Sequence, residues 1–500
     1  VSAIGATVGT ITRAQVGGAG RLLLPTDGPV DVFLAEGRIA DIAPAGAVRP
    51  RGEVLDADGA WLLPGLWDHH VHVLQWALVA QREPLGGAES AAHAARIMAG
   101  AAIQPDGRRI GTGFRDALWP DAPTLELLDA ATGDTPAYLI NADVHSVWMN
   151  TAALRREGHQ PDGVGILREG PAFEISRRLN DVDPAIGDAL VARMAKDAAV
   201  RGVVGLVDLD MAWNEGAWAR RLDAGFDTLR VEFGIYPEFL PRAVGEGLRT
   251  GETARGTASD LVRVGALKVI TDGSLGTRTA ACSHAYPGDP HNHGVLAVSP
   301  EELVELMNAA TGAGIACAIH AIGDVANSHA LDAFALTGAT GTIEHAQLVA
   351  HADVPRFARL GVGASVQPEH AVDDRDLTDS IWADQTALAY PLRALADSGA
   401  NLLFGSDAPV SPLDPWAAMA AAVFRTRDGR PAWRPEQGVD AATAVAASTH
   451  GGSAAPALIE PGALGDLVLC GSDPLVSSES DLRRMPVAAT LLAGRLTHIA

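Results

Sequence analysis

Lysine is almost absent from this chain. Of its 38 basic residues only Lys196 and Lys268 are lysines, and the others are arginine. Cysteine is scarce as well. Cys282, Cys317 and Cys470 are far apart and odd in number, which excludes a disulfide framework and a CxxC zinc knot. Acidic residues outnumber basic ones, 61 to 38, for a formal net charge of −23. A nucleic-acid binder that works through the phosphate backbone needs the opposite balance, so no nucleic-acid partner is expected. No apolar run approaches the roughly 18 residues of a membrane span, so no membrane partner is expected either. The first residues, Val1 to Val16, carry neither a basic leader nor a long apolar stretch, and a soluble, cytoplasmic protein is expected. A Gly-rich GxGxxG loop is missing too, which counts against an open, doubly wound nucleotide-binding sheet.

What is present is a chain of 500 residues, 47% hydrophobic, enough for one large domain and a smaller companion. Both ends read as short strands. TITRAQV, RLLL, VDVFLAEGRIADIAPAG and GEVLDADGAWLLPG occupy the start; GDLVLCGSD and VAATLLAGRLTHIA occupy the end. A small β-sandwich built from both termini, residues 1–60 and 455–500, follows from that arrangement, with the main domain, 61–454, inserted between. The middle alternates apolar β runs with helical segments, a parallel α/β pattern. Nine such runs occur: LLPGLWD, AYLINAD, GVVGLVDLD, LRVEFGIY, VGALKVITD, GIACAIH, GTIEHAQ, GVGASVQP and ANLLFGSD. A (β/α)8 TIM-like barrel takes eight. AYLINAD is therefore assigned to an insertion of about 74–195 that follows the first barrel strand.

Chemistry gathers at the ends of these runs. In the stretch Pro64–His72, His70 and His72 are two apart, so on a strand they share a face and can offer two imidazoles to one metal. His69 points the other way and reads as structural. Lys268, His320, His345 and Asp407 close four further runs, where barrel enzymes assemble their sites. Lys268 is the costly one, a lysine inside an apolar strand of a chain that otherwise avoids lysine. It is either a buried ammonium paired with Asp272 or Asp407, or an amine kept nucleophilic by desolvation. Such an amine captures carbon dioxide as a carbamate, whose two oxygens can bridge two cations. His291 and His293 repeat the HxH spacing in PGDPHNHG, but a Pro/Gly loop without a strand reads as surface or lid. Asp208 and Asp210 read as loop-entry caps.

Together these residues resemble the amidohydrolase superfamily, whose metal set falls here on His70, His72, Lys268, His320, His345 and Asp407. The likeness is closer to its YtcJ-like (amidohydrolase 3) branch, which includes N-substituted formamide deformylase. It is carried by VHSVWMNTAAL (Val144–Leu154), LKVITDGSLGTRTAA (Leu267–Ala281), IHAIGDVAN (Ile319–Asn327), VQPEHA (Val366–Ala371) and LFGSDAPV (Leu403–Val410). The resemblance implies two divalent metal ions, zinc by preference, bridged by a carbamate on Lys268, with Asp407 as proton shuttle for a metal-bridging hydroxide. It also implies substrate contacts from His145, Arg278, Gln367 and His370. The expected reaction is hydrolysis of a C–N bond in a non-peptide amide, an N-formyl or N-acyl amine. A deaminase or cyclic amidine hydrolase on the same barrel is the alternative, although His320-Ala321-Ile322-Gly323-Asp324 lacks the acidic spacing such enzymes use. A scaffold that has lost its chemistry would be expected to have lost ligands. The expected partner is a small-molecule substrate, and an exposed sandwich surface is compatible with a homodimer.

Overall fold

The computed structural model describes residues 3–17, 28–104, 106–255 and 259–500; the expected strand RLLL, Arg21–Leu24, lies outside them. Two four-stranded sheets form the sandwich. One runs in the order Arg38–Pro44, Val30–Ala35, Val8–Ala14, Glu53–Asp56; the other runs Arg495–Ile499, Val487–Leu492, Leu467–Cys470, Trp61–Pro64. The stretch VDVFLAEGRIADIAPAG is a hairpin, and its two turn residues, Glu36 and Gly37, have φ of 51° and 74°. That is the pairing that a two-residue turn between twisted strands requires. Val8, Ile11, Val32, Leu62, Leu469 and Leu491 share one buried core, so residues from both ends of the chain close the sandwich.

Trp61–Pro64 runs through Gly65 into the first strand of the barrel. The eight barrel strands are β1 (Leu66–Val71), β2 (Val203–Asp208), β3 (Arg230–Ile235), β4 (Val262–Ile270), β5 (Cys317–Ala321), β6 (Gly341–His345), β7 (Gly363–Val366) and β8 (Leu402–Phe404). They pair in chain order from β1 to β8, every pair parallel. Helices follow: Asn214–Asp223 after β2, Pro300–Gly312 after β4, Asp324–Thr337 after β5 and Pro415–Phe424 after β8 among them. Every residue of β1, β5 and β7 is buried, as strands covered on both faces must be.

The seam between the last strand and the first is short. The Asp407 N–H donates to His70 O at 2.7 Å, and the His72 N–H donates to Ala408 O at 2.9 Å. The Asp68 carboxylate ties the same seam from below, where Oδ1 accepts from the N–H groups of His70 (3.1 Å) and Ser406 (2.9 Å). Gly405 is needed for this approach. A Cβ there would lie 2.7 Å from His70 N and 2.8 Å from His70 Cβ.

AYLINAD does lie outside the barrel. Its strand, Ala137–Asn141, belongs to a separate five-stranded sheet with Ile166–Arg168, Ser146–Met149, Arg109–Phe114 and Glu83–Pro84. This sheet is the centre of a second compact unit, Leu74–Leu190 together with Gly273–Thr279. Leu139 and Trp148 pack with Met98 on one of its faces; Tyr138, Ile140 and Val147 pack with Leu154 and Ile175 on the other. No helix among the described residues is long and apolar enough to cross a membrane.

Gly405→Ala should force β8 away from β1. We expect a loss of about 1–3 kcal/mol in urea denaturation, together with reduced metal content. Unchanged stability would show that the seam yields more easily than its backbone contacts indicate.

Candidate metal centre

The seam decides which side chains meet. β1 carries His70 to its end and His72 just beyond, while the chain leaving β8 turns through Asp407, held in the left-handed region at φ 56°. Asp407 Oδ1 then lies 3.4 Å from His70 Nε2 and 3.2 Å from His72 Nε2. His345, the last residue of β6, is also left-handed at φ 75°, and its ring centroid is 4.8 Å from that of His70. Ligand atoms of His70, His345 and Asp407 all lie within 4.8 Å of one another. His320, at the end of β5, brings its ring to 4.5 Å from His345. His370 stacks on His345 at 6.3 Å, and its Nε2 is 4.0 Å from Asp407 Oδ2.

Lys268 is buried in β4, and its Nζ has no hydrogen-bond partner among the described residues. Neither Asp272 nor Asp407, the acids considered for a pairing with it, hydrogen-bonds the amine. The Asp272 carboxylate accepts from the N–H groups of Ile322 (3.0 Å), Gly323 (2.8 Å) and Ala281 (2.9 Å), and its Oδ1 lies 3.5 Å from His320 Nε2. Burial lowers the Lys268 pKa, against the charges of Glu344 and Asp407, which raise it.

Three supporting acids and amides were not singled out from sequence in these roles. Glu344, one residue before His345, places Oε2 2.6 Å from His70 Nδ1. Gln367 places Oε1 2.8 Å from His345 Nδ1, so the amide expected to meet substrate is engaged with a ligand-type imidazole. Asp68 ties the seam, and burial pushes its carboxyl up to about 7. The signal for Glu344 and Asp68 was available. A carboxylate inside an apolar strand is as costly as a lysine there, and it asks the same question.

The electrostatics favour a bound cation. Burial lowers the pKa of His70, and lowers that of His345 well below the ordinary value, which leaves neutral imidazoles with a lone pair to give. Burial alone would raise Asp407, but its place among the clustered imidazoles, with the hydrogen bond from His72, outweighs that and holds the carboxyl well below the usual range. Neutral imidazoles with an ionised carboxylate are a donor set that divalent zinc and its neighbours accept. An orphaned amine beside them has a ready use in such a site.

The remaining residues are placed as follows. His69 Nε2 lies 3.1 Å from Thr449 O, away from the cluster, and burial lowers its pKa to about 4. Asp208 accepts from the N–H groups of Val73 (3.4 Å) and Asp210 (3.1 Å) and from Trp218 Nε1 (2.7 Å), a capping role. His291 and His293 lie in irregular chain, with His293 Nδ1 3.3 Å from Cys282 O. In the second unit, His145 Nδ1 is 3.0 Å from Glu169 Oε2, and Arg278 sits at φ 57° in the loop Gly273–Thr279.

Comparison with known proteins agrees with this geometry. The profile of the Amidohydrolase family matches residues 53–498. Protein LONG AFTER FAR-RED 3 of Arabidopsis thaliana is 28% identical over 483 residues, covering 88% of this chain and 83% of its own length. N-substituted formamide deformylase of Arthrobacter pascens is 26% identical over 524 residues, covering 93% and 94%. A metal-dependent hydrolase of Pyrococcus horikoshii superposes with a TM-score of 0.78 at 25% identity, covering 94% of this chain and 99% of that one.

Lys268→Met tests whether the buried amine serves the fold. With metal stripped, the variant should be as stable as the parent or more stable by about 1–3 kcal/mol, since a thioether carries no charge to desolvate. A large loss of stability in urea denaturation would assign Lys268 to the core instead.

Proposed function

As a member of the Amidohydrolase family this chain is a metal-dependent hydrolase of non-peptide C–N bonds, and we propose that its substrates are N-formyl or N-acyl amines. The observation that carries this reading is the convergence of His70, His345 and Asp407 at the ends of β1, β6 and β8. The likeness to N-substituted formamide deformylase over nearly the full length of both chains supports the substrate class.

In this proposal His70, His72, Lys268, His320, His345 and Asp407 would hold two divalent ions. Lys268 would serve as a ligand once its amine had added to carbon dioxide and lost a proton, as a carbamate. Zinc suits these ligands. When bound, the ions polarise the substrate carbonyl and bring the pKa of a water towards neutrality. Asp407 takes the proton that the attacking water gives up and returns it to the nitrogen of the departing amine. His370, whose Nε2 lies 4.0 Å from Asp407 Oδ2, steadies the carbonyl oxygen. Gln367 turns its carbonyl to His345 and one amide hydrogen to Ser365 O at 3.4 Å, so its second amide hydrogen is what it offers a substrate. The substrate roles of His145 and Arg278 rest on the sequence stretches that they occupy. Asp324, the first acid after His320 and one residue beyond the deaminase spacing, accepts the Ser283 N–H at 2.9 Å.

The decisive assay incubates metal-reconstituted protein with N-formyl and N-acyl amines, cyclic amides and amino-heterocycles, then measures organic amine, carboxylate and ammonia separately. Amine and carboxylate in equal amounts, without ammonia, are expected, and a chelator should abolish both. Ammonia from an amino-heterocycle would overturn the reading in favour of a deaminase. Asp407→Asn should lower kcat by about 100-fold or more. A variant that keeps full turnover would remove Asp407 from the proton path.

A further inference from the structure

Glu344 has no counterpart in the chemistry above, yet it is as deeply placed as any ligand. Its side chain is 3% exposed and that of His70 is 1% exposed. An acid so buried needs partners for both oxygens. Oε2 has His70 Nδ1 at 2.6 Å, and Oε1 accepts from Thr342 Oγ1, two residues earlier on the same strand and therefore on the same face.

The consequence for His70 is geometric. A carboxylate has no proton to give, so the short contact requires that Nδ1 carries the hydrogen. A neutral ring has only one, so Nε2 keeps its lone pair. Nε2 faces Asp407 Oδ1 across 3.4 Å, and the carboxylate oxygen likewise offers only lone pairs. Two electron-rich atoms held at that separation repel unless a proton or a cation lies between them. His345 shows the neutral version of the same device. The oxygen of Gln367 receives its Nδ1 hydrogen at 2.8 Å, which again turns Nε2 into the free acceptor.

We infer that Glu344 is the positioning residue that fixes the tautomer and ring orientation of His70, so that His70 meets the metal as a preset donor. It touches neither substrate nor metal and acts through His70. The anionic partner also raises the electron density of the ring, which the amide of Gln367 does less, so the two imidazoles are unequal donors. The inference rests on the metal-site reading and is independent of the substrate class.

The test measures affinity for Zn(II) and Co(II) by chelator competition, and the visible spectrum of the Co(II) form, in Glu344→Ala and Glu344→Gln. Glu344→Ala should bind metal about 10–100-fold more weakly, with an altered Co(II) spectrum. Glu344→Gln should recover most of that affinity. Its carbonyl can accept from Nδ1, and its NH2 can donate to a reoriented Thr342 hydroxyl. Parental affinity and spectrum in Glu344→Ala would overturn the inference. So would Glu344→Gln as weak as Glu344→Ala, because charge rather than orientation would then be the cause. Should Glu344→Ala fail to fold, the near-isosteric Gln variant decides alone: near-parental affinity supports the lock, and a loss approaching 100-fold overturns it. A parent chain that binds neither ion would overturn the metal-site reading, and the lock with it.

Discussion

The barrel closes at its metal site. β1 and β8 meet through very few backbone hydrogen bonds, and these involve His70, His72, Asp407 and Ala408 themselves. Asp68 reinforces the junction by accepting N–H groups from both sides, and Gly405 leaves the room that they need. Closure of the sheet and assembly of the ligand cluster are thus a single event. Whatever opens the seam also separates Asp407 from the two histidines, and whatever draws those three together, a cation above all, holds the seam shut.

Around that seam the protein gathers charge that a core would ordinarily exclude. Lys268, Glu344, Asp68, Asp272 and Asp407 are all buried. They do not neutralise one another in simple pairs. Asp272 and Asp68 accept backbone N–H groups, Glu344 meets an imidazole and a hydroxyl, and the Lys268 Nζ has no hydrogen bond among the described residues. The Lys268 amine is left without a hydrogen bond, and only the charges of Glu344 and Asp407 favour its protonated form against burial. An arrangement of this kind costs stability in the empty protein and returns it when cations enter.

Much of this was legible in the sequence, for a physical reason. A strand buried on both faces reads as a continuous apolar run, so a polar residue at its end stands out. Eight such runs became β1–β8, and the ninth, AYLINAD, went to the separate sheet. His70, His72, Lys268, His320, His345 and Asp407 stood out in the same way. What stayed hidden depends on register. Gln367 reaches His345 because β6 and β7 are neighbours, and Glu344 reaches His70 across the barrel; neither spacing is visible along one chain. The loop Gly273–Thr279 was equally opaque. It clusters with Leu74–Leu190, where Ser274 Oγ bonds Asp143 at 3.1 Å, a partner far away in sequence.

The strand Trp61–Pro64 carries a further consequence. It enters the barrel directly, yet its sheet partner, Leu467–Cys470, is among the last segments of the chain. During synthesis the first barrel strand therefore emerges attached to an edge that has only the short bridge to Gln15 until Leu467–Cys470 follows near the end of the chain. Asp407 and β8 also arrive late, so His70 and His72 spend most of that interval without the carboxylate that completes their site. The cluster of His70, His345 and Asp407 is complete only once Asp407 has been made, and the nascent chain has to keep an apolar strand and two unattended imidazoles from other partners until then.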